Sequence, residues 1–320
     1  MQTFLIQRIL TAIVTVFIVS IVVFLFVQAS GNAAAMLISA DMERHAMLEL
    51  EEKLGLNDPL YVQYARFMAD FFTGGGAVYS FKYMTPVLPM VLEALKWTMV
   101  LAFGAISVSV ILAIPLGTIA AIKRGSFIDL IIRLIAVFGQ SMPSFWVAMM
   151  LMLIVAVNWQ LLPVSGAGIK EAILPITALS FYQLAVLLRL FRAEMLEVIH
   201  QDYVRTARSK GIKEFAVIYR HCMQNAALPV LTMAGIQLSQ MMLGAIVIEP
   251  IFAWPGIGYL IIGSVMYRDY PVVVGGVMIA GMLVTTINLL VDILYGQLDP
   301  RIRVSCPLKR ITTQPVSSNP

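Results

Sequence analysis

Long apolar runs are what most limit the folds open to this chain. Six of them stand at about 9–27, 96–122, 134–157, 173–190, 228–248 and 272–294, almost free of charge along their middles. A stretch of roughly 20 apolar residues is what a helix needs to cross a bilayer. No water is available in lipid to pair with backbone N–H and C=O groups, so such a segment satisfies them internally, as a helix or in a closed barrel. A barrel would show short strands alternating in polarity, and these runs do not alternate. Of the 320 residues 60% are hydrophobic and only 12% charged, with a mean hydropathy of +0.87, whereas soluble domains are nearer a quarter charged. The expected fold is an all-α polytopic membrane protein with about six transmembrane helices.

The first run follows Arg8 and is longer than the roughly 7–15 residues of a secretory signal core. It reads as an uncleaved anchor, although Ala33-Ala34-Ala35 imitates a cleavage site. Residues 29–95 hold helical patterning in Met47–Leu56 and Tyr61–Phe72, then a flexible break at Gly74-Gly75-Gly76. Pro115 and Pro143 have two readings, kinks of their helices at a gate or local irregularities satisfied by neighbours. Glu249–Gly258 is apolar but carries two prolines and two glycines, the pattern of a re-entrant or surface element. The chain divides into a first span with an external helical region (1–95), a five-helix core (96–303) that includes a charged segment (195–229) and an external loop (249–270), and a polar tail (304–320) of disordered character.

Loop charge gives an orientation. The segment between the first two spans is net −3, 123–133 is +2, 158–171 is zero, 189–220 is +3, 249–270 is −1, and the chain from Asp299 onward is +3. Basic loops alternate with neutral or acidic ones, so both termini and the charged segment are expected in the cytoplasm. Cys222 and Cys306 then lie on the reducing side as free thiols. An impermeant thiol reagent should leave Cys222 unlabelled in intact cells.

Catalytic apparatus is hard to find. The chain has no G-x-x-x-x-G-K-[ST] loop for ATP. His45, His200 and His221 are scattered, without metal-site spacing. The net charge of +4 reads as loop asymmetry and not as a nucleic-acid footprint. Ion-coupled carriers use buried ionisable groups at mid-membrane. Asp292, near the end of its run, is the nearest approach to one. Energy is therefore expected to come from outside the chain.

One polar stretch stands apart, Met195–Pro229, which holds Glu197, Asp202, Arg205, Arg208, Lys210, Lys213, Glu214 and Arg220. Tyr203, Ala207 and Gly211 are four apart, so they are expected to form one helical stripe, its last two members small enough for close approach by a partner. Two readings fit: a docking helix for a soluble protein, or an amphipathic helix on the inner leaflet held by basic residues.

This stretch carries a family resemblance. Asp202–Gly211 (DYVRTARSKG) and Arg220–Val230 (RHCMQNAALPV) resemble the EAA region of ABC-importer permeases of the dipeptide/oligopeptide/nickel group. Arg124–Trp146, Leu161–Gly166, Ile173–Pro175, Phe252–Gly258, Arg268–Val273 and Asn288–Arg303 match that group in order, and Leu54–Tyr64 is similar to its first external domain. The likeness covers about residues 4–303 and is nearest the B-type permease, half of a heterodimeric channel. Arg205, Thr206 and Ala207 stand where the motif has E-A-A, its first two letters replaced, and Gly211 is its glycine.

The resemblance implies a type I ABC importer permease fold and a di- or oligopeptide substrate, with nickel or another metal chelate as the alternative. It implies a helix formed by Asp202, Tyr203, Val204, Arg205, Thr206, Ala207, Lys210 and Gly211 that docks on a cytoplasmic ATPase. The implied partners are a second permease, two ATPases holding ATP and magnesium, and an external solute receptor, in a bacterial or archaeal cytoplasmic membrane. The chain itself would bind no cofactor, metal or nucleic acid and have no catalytic residue. Gln140, Ser141, Gln183, Gln237, Gln240 and Asn288 are polar residues in or near spans, able either to line a path or to bond across helices. Trp254, Pro255 and Gly256 read as an external gate or receptor contact, or as an interfacial aromatic anchor. A self-contained carrier or a membrane enzyme would need the mid-membrane charges or the catalytic cluster that the sequence does not offer.

Overall fold

The computed structural model describes residues 2–29, 58–73 and 78–298. The helix expected at Met47–Leu56, the triple-glycine break, His45, Cys306 and the polar tail lie outside them. Among the described residues ten helices follow one another: α1 (Gln2–Ala29), α2 (Leu60–Thr73), α3 (Val87–Ile122), α4 (Phe127–Ser141), α5 (Ser144–Asn158), α6 (Ile169–Val198), α7 (Asp202–Ser209), α8 (Glu214–Ile251), α9 (Ile257–Met266) and α10 (Tyr270–Leu298). Helices α1, α3, α6, α8 and α10 are each long and apolar enough to cross a membrane. The pair α4–α5 forms a sixth span if taken together.

That pair departs from the continuous run expected at 134–157. It bends by 104°. Pro143 has no N–H to offer the preceding turn, and its ring drives Met142 into extended backbone (ψ 128°), so α4 stops and α5 starts afresh. Pro115, the other proline with these two readings, lies inside α3. The charged segment and the fifth span are one helical rod, α8, wound as a π-helix over Val217–Cys222. At its far end α8 continues through Glu249-Pro250-Ile251, past the point where the sequence suggested a break. A tight turn then leads into the short apolar α9.

The main core lies where α3, α6 and α8 cross. The buried side of α3 is built of small residues, Ala102, Ala105, Ser109, Ala113, Gly117 and Ala120, which let backbones approach closely where apolar side chains alone gain nothing over lipid. A Cβ on Gly117 would lie 2.8 Å from the Phe191 ring and 3.3 Å from the Leu188 carbonyl of α6. A second core joins Phe71 of α2, Val87 and Val91 of α3, Ile257 and Ile261 of α9, and Val272 and Met278 of α10. The outward sides of α1 and α4 remain apolar and exposed, among them Ile13, Phe17, Leu134 and Phe138, as lipid contact requires.

Two buried carboxylates hold the turns at either end of α9. Asp269 accepts hydrogen bonds from the Ser80 hydroxyl and from the N–H groups of Phe81 (3.1 Å) and Lys82 (3.2 Å), fixing the Val78–Pro86 loop to the α9–α10 turn. Glu249 accepts from the Thr98 hydroxyl (2.6 Å) and from the N–H groups of Gly258 (2.6 Å) and Tyr259 (3.3 Å). The same Thr98 oxygen accepts from the Ile257 N–H at 2.8 Å. Thr98→Val therefore keeps the shape and leaves two buried groups short of a partner. The expected cost is about 2 kcal/mol, read as a lower midpoint of thermal unfolding in detergent. An unchanged midpoint would show that this junction does not hold the turn.

Candidate functional site

Helix α7 has eight residues and a single apolar side. Val204 and Ala207, three apart, are buried in the main core with Val217, Ile218 and Cys222 of α8. Asp202, Tyr203, Arg205, Thr206, Arg208, Ser209 and Lys210 are exposed. Asp202 stands in the first turn and Arg208 in the last, each sign matched to the helix dipole.

A Schellman motif ends the helix: the Ile212 N–H reaches the Ala207 carbonyl (3.4 Å) and the Gly211 N–H reaches that of Arg208 (2.9 Å). Gly211 has φ 75°, in the left-handed region, and a Cβ there would meet nothing within 4 Å. The expected stripe of Tyr203, Ala207 and Gly211 does not form. The helix stops at Ser209, Ala207 faces inward and Gly211 turns the chain outward.

Two side-chain links brace α7 against α8. Arg208 donates to Glu214 through two parallel bonds, Nη2 to Oε1 at 2.7 Å and Nε to Oε2 at 3.1 Å. Asn225 donates to the Tyr203 hydroxyl at 2.9 Å. On the other side, the chain leaves α6 at Val198 and enters α7 four residues later. A short helix with a polar outer side is thus fixed between two long spans.

A third link ties α6 to α4. Asp129, 1% exposed, accepts from Arg192 of α6 at 2.8 and 3.0 Å and from the Gly125 N–H at 3.1 Å. Ser126 caps α4 by accepting from the Asp129 N–H. The sequence showed Asp129 and Arg192 only as loop charges, and Arg208, Glu214 and Asn225 as members of a polar stretch. Their pairings depend on which helices meet.

The remaining candidates separate. Gln140, Ser141 and Gln183 line one cavity of ≈ 320 Å³, with Ser144, Tyr182 and Met241. Gln237 is buried outside that lining, while Gln240 and Asn288 are exposed. Trp254 is 1% exposed, its indole N–H donating to the Trp97 carbonyl at 3.0 Å and its ring meeting the Trp97 ring edge-on. Gly256 lies against the Glu249 carboxylate, which a Cβ would reach at 2.2 Å. In this conformation Trp254 and Gly256 are internal packing of the α8–α9 turn, and Pro255 is half-buried, so they offer little surface to a receptor.

A multi-pass membrane protein with a braced polar helix at one end of its spans defines the class. The family described as "Binding-protein-dependent transport system inner membrane component" matches residues 113–304, and its N-terminal counterpart matches residues 1–102. The chain is 36% identical to the dipeptide transport system permease protein DppB of Escherichia coli strain K12, covering 95% of this chain and 99% of that one. It is 33% identical to the oligopeptide transport system permease protein AppB of Bacillus subtilis strain 168, covering 94% and 99%. A crystal structure described as an amino acid ABC transporter with histidines matches with a TM-score of 0.50 at 17% identity, covering 65% of this chain and 94% of that chain. The chain belongs to the family of binding-protein-dependent transport system inner membrane components. Its fold is that of an ABC transporter permease.

Proposed function

We propose that this chain is the permease subunit of a binding-protein-dependent importer of di- or oligopeptides. It forms half of a translocation path with a second, similar permease. Two cytoplasmic ATPases hold ATP and magnesium and do the hydrolysis, and an external receptor delivers the solute. The chain itself is non-catalytic and sits in a bacterial inner membrane with α7 facing the cytoplasm. The substrate class follows relatives named as dipeptide, oligopeptide and putative peptide transport permeases.

The observation that carries the coupling role is the geometry of α7. Its apolar side, Val204 and Ala207, is buried in its own chain, and its outward side is charged or polar. That leaves no apolar side for acyl chains, which disfavours a helix lying on the leaflet. A protein partner suits it better. When an ATPase moves α7, the bidentate Arg208–Glu214 pair and the short connection to α6 carry the motion into two spans as a rigid body.

The test is to purify the chain with its natural partners and measure receptor-dependent peptide uptake into lipid vesicles. Co-purification without ATPases, or uptake of a metal chelate but no peptide, would refute the assignment. Topology needs a reporter other than Cys222, which is fully buried and escapes reagents on either side. A cysteine at the exposed Ser209 should stay unlabelled by an impermeant thiol reagent in intact cells and react in inverted vesicles. Labelling in intact cells would place α7 outside.

A further inference from the structure

The turn between α3 and α4 gathers positive charge at the edge of an apolar surface. Lys123 and Arg124 are exposed there and enter no ion pair among the described residues. Asp129 Oδ2 accepts the Gly125 N–H at 3.1 Å and lies 3.5 Å from Arg133 Nε. Arg133 is thus drawn back along α4, as long helical side chains tend to be, and its guanidinium stands beside the turn that carries Lys123 and Arg124. Its other two nitrogens have no hydrogen-bond partner among the described residues. Asp129 is already held by both arms of Arg192, so this one carboxylate leaves Lys123, Arg124 and Arg133 largely uncompensated.

The surface next to these cations is built for lipid. Leu130, Arg133, Leu134 and Val137, three or four apart, share one exposed side of α4, and Phe127 at the start of the helix is exposed as well. An arginine on such a side keeps its charge at headgroup level by reaching toward the helix end. The turn lies at the same end of the spans as α7, because Arg192 stands six residues before Val198, where α6 gives way to the α7 connection. An apolar side topped by unpaired cations complements an amphiphile with acyl chains and an anionic head. A soluble acidic protein would not cover the leucines at membrane depth. A second permease would have to carry a carboxylate into the bilayer to pair Arg133, at a high desolvation cost.

We propose that the α3–α4 turn and the adjoining side of α4 bind an anionic phospholipid of the leaflet on the α7 side. Its phosphodiester lies among Lys123, Arg124 and the free guanidinium nitrogens of Arg133, and its acyl chains run along Leu130, Leu134 and Val137. Phosphatidylcholine also has a phosphate, but its quaternary ammonium adds a cation to a site that is already positive. The site requires a chain that spans the membrane and does not depend on the importer assignment.

The experiment places the complete transporter in vesicles of equimolar phosphatidylglycerol and phosphatidylcholine, extracts it in mild detergent and measures the retained lipid by mass spectrometry. The parent should retain phosphatidylglycerol over phosphatidylcholine by about tenfold or more, less so at high salt. Arg133→Gln should lower that preference about fivefold, and Lys123→Gln with Arg124→Gln should abolish it. Arg133→Lys keeps the charge and should keep most of the preference. Lys170→Gln, which removes an exposed charge at the opposite end of α6, should leave it unchanged. None of these substitutions strands a buried group, so thermal midpoints should match the parent. Equal retention of the two lipids by the parent, or a preference that survives the loss of all three cations, would overturn the site. So would a cysteine at Leu134 that cross-links to the second permease, since α4 would then have a protein cover. A complex that retains phosphatidylglycerol as expected but moves no peptide would refute the importer reading and leave the lipid site standing.

Discussion

Gly211→Asp will remain in the membrane and, on the docking role proposed for α7, lose uptake by about tenfold or more. Several features separate this effect from misfolding. Gly211 sits at φ 75°, a region that aspartate and asparagine enter more readily than other L-residues. The added Cβ meets nothing within 4 Å. A carboxylate at the C-terminal end of α7 opposes the helix dipole by only about 0.3–1 kcal/mol. It also competes with Glu214 for Arg208 and places negative charge among Lys210 and Lys213, on the exposed side proposed to meet an ATPase. Gly211→Asn fits the same backbone without charge and should retain more uptake than the aspartate variant. Both variants should reach the membrane in normal amounts. Normal uptake by Gly211→Asp would sink the docking assignment for α7.

Asp129→Ala is expected to cause the largest loss of stability. Asp129 is buried and receives both arms of Arg192, itself only 19% exposed, together with the Gly125 N–H. Removing it strands a largely buried guanidinium, and breaking such a pair costs about 3 kcal/mol. The contact with Arg133, at 3.5 Å with that side chain half exposed, adds little. The variant should unfold at clearly lower temperature in detergent. Asp129→Ala combined with Arg192→Met should recover part of the loss, because no charge is then left unpaired. A single variant as stable as the parent would show that this link does not join α4 to α6.

The spans were legible because a bilayer demands length and apolarity, and both can be counted along a chain. The apolar runs at 9–27, 173–190 and 272–294 lie within α1, α6 and α10. The break at Pro143 was only half visible. A proline predicts a lost hydrogen bond but not an angle, and Pro115, Pro175 and Pro229 all lie inside helices. Just before the bend α4 packs closely on α6: a Cβ on Gly139 would lie 3.1 Å from the Phe181 carbonyl. The stripe through Tyr203, Ala207 and Gly211 failed because spacing assumes the helix continues, and the glycine at its end was the stop.

The buried carboxylates were the least legible. Glu249, Asp269 and Asp129 look in sequence like loop charges that set topology, yet each is at most 1% exposed and carries several hydrogen bonds. Their donors lie up to 189 residues away in the chain, a distance no local pattern spans. What the sequence alone determined was the solvent of each segment: lipid for the apolar runs, water for Asp202–Lys213, because transfer free energy belongs to the residues themselves. Only the tertiary structure decided the pairings: that Val204 and Ala207 are covered by α8, that Trp254 is packing, and that Gln140 and Gln183 share a cavity. Such pairings arise from which helices cross and at what depth, and crossing is set by the fit of small residues such as Gly117 against Phe191, a property of two surfaces at once.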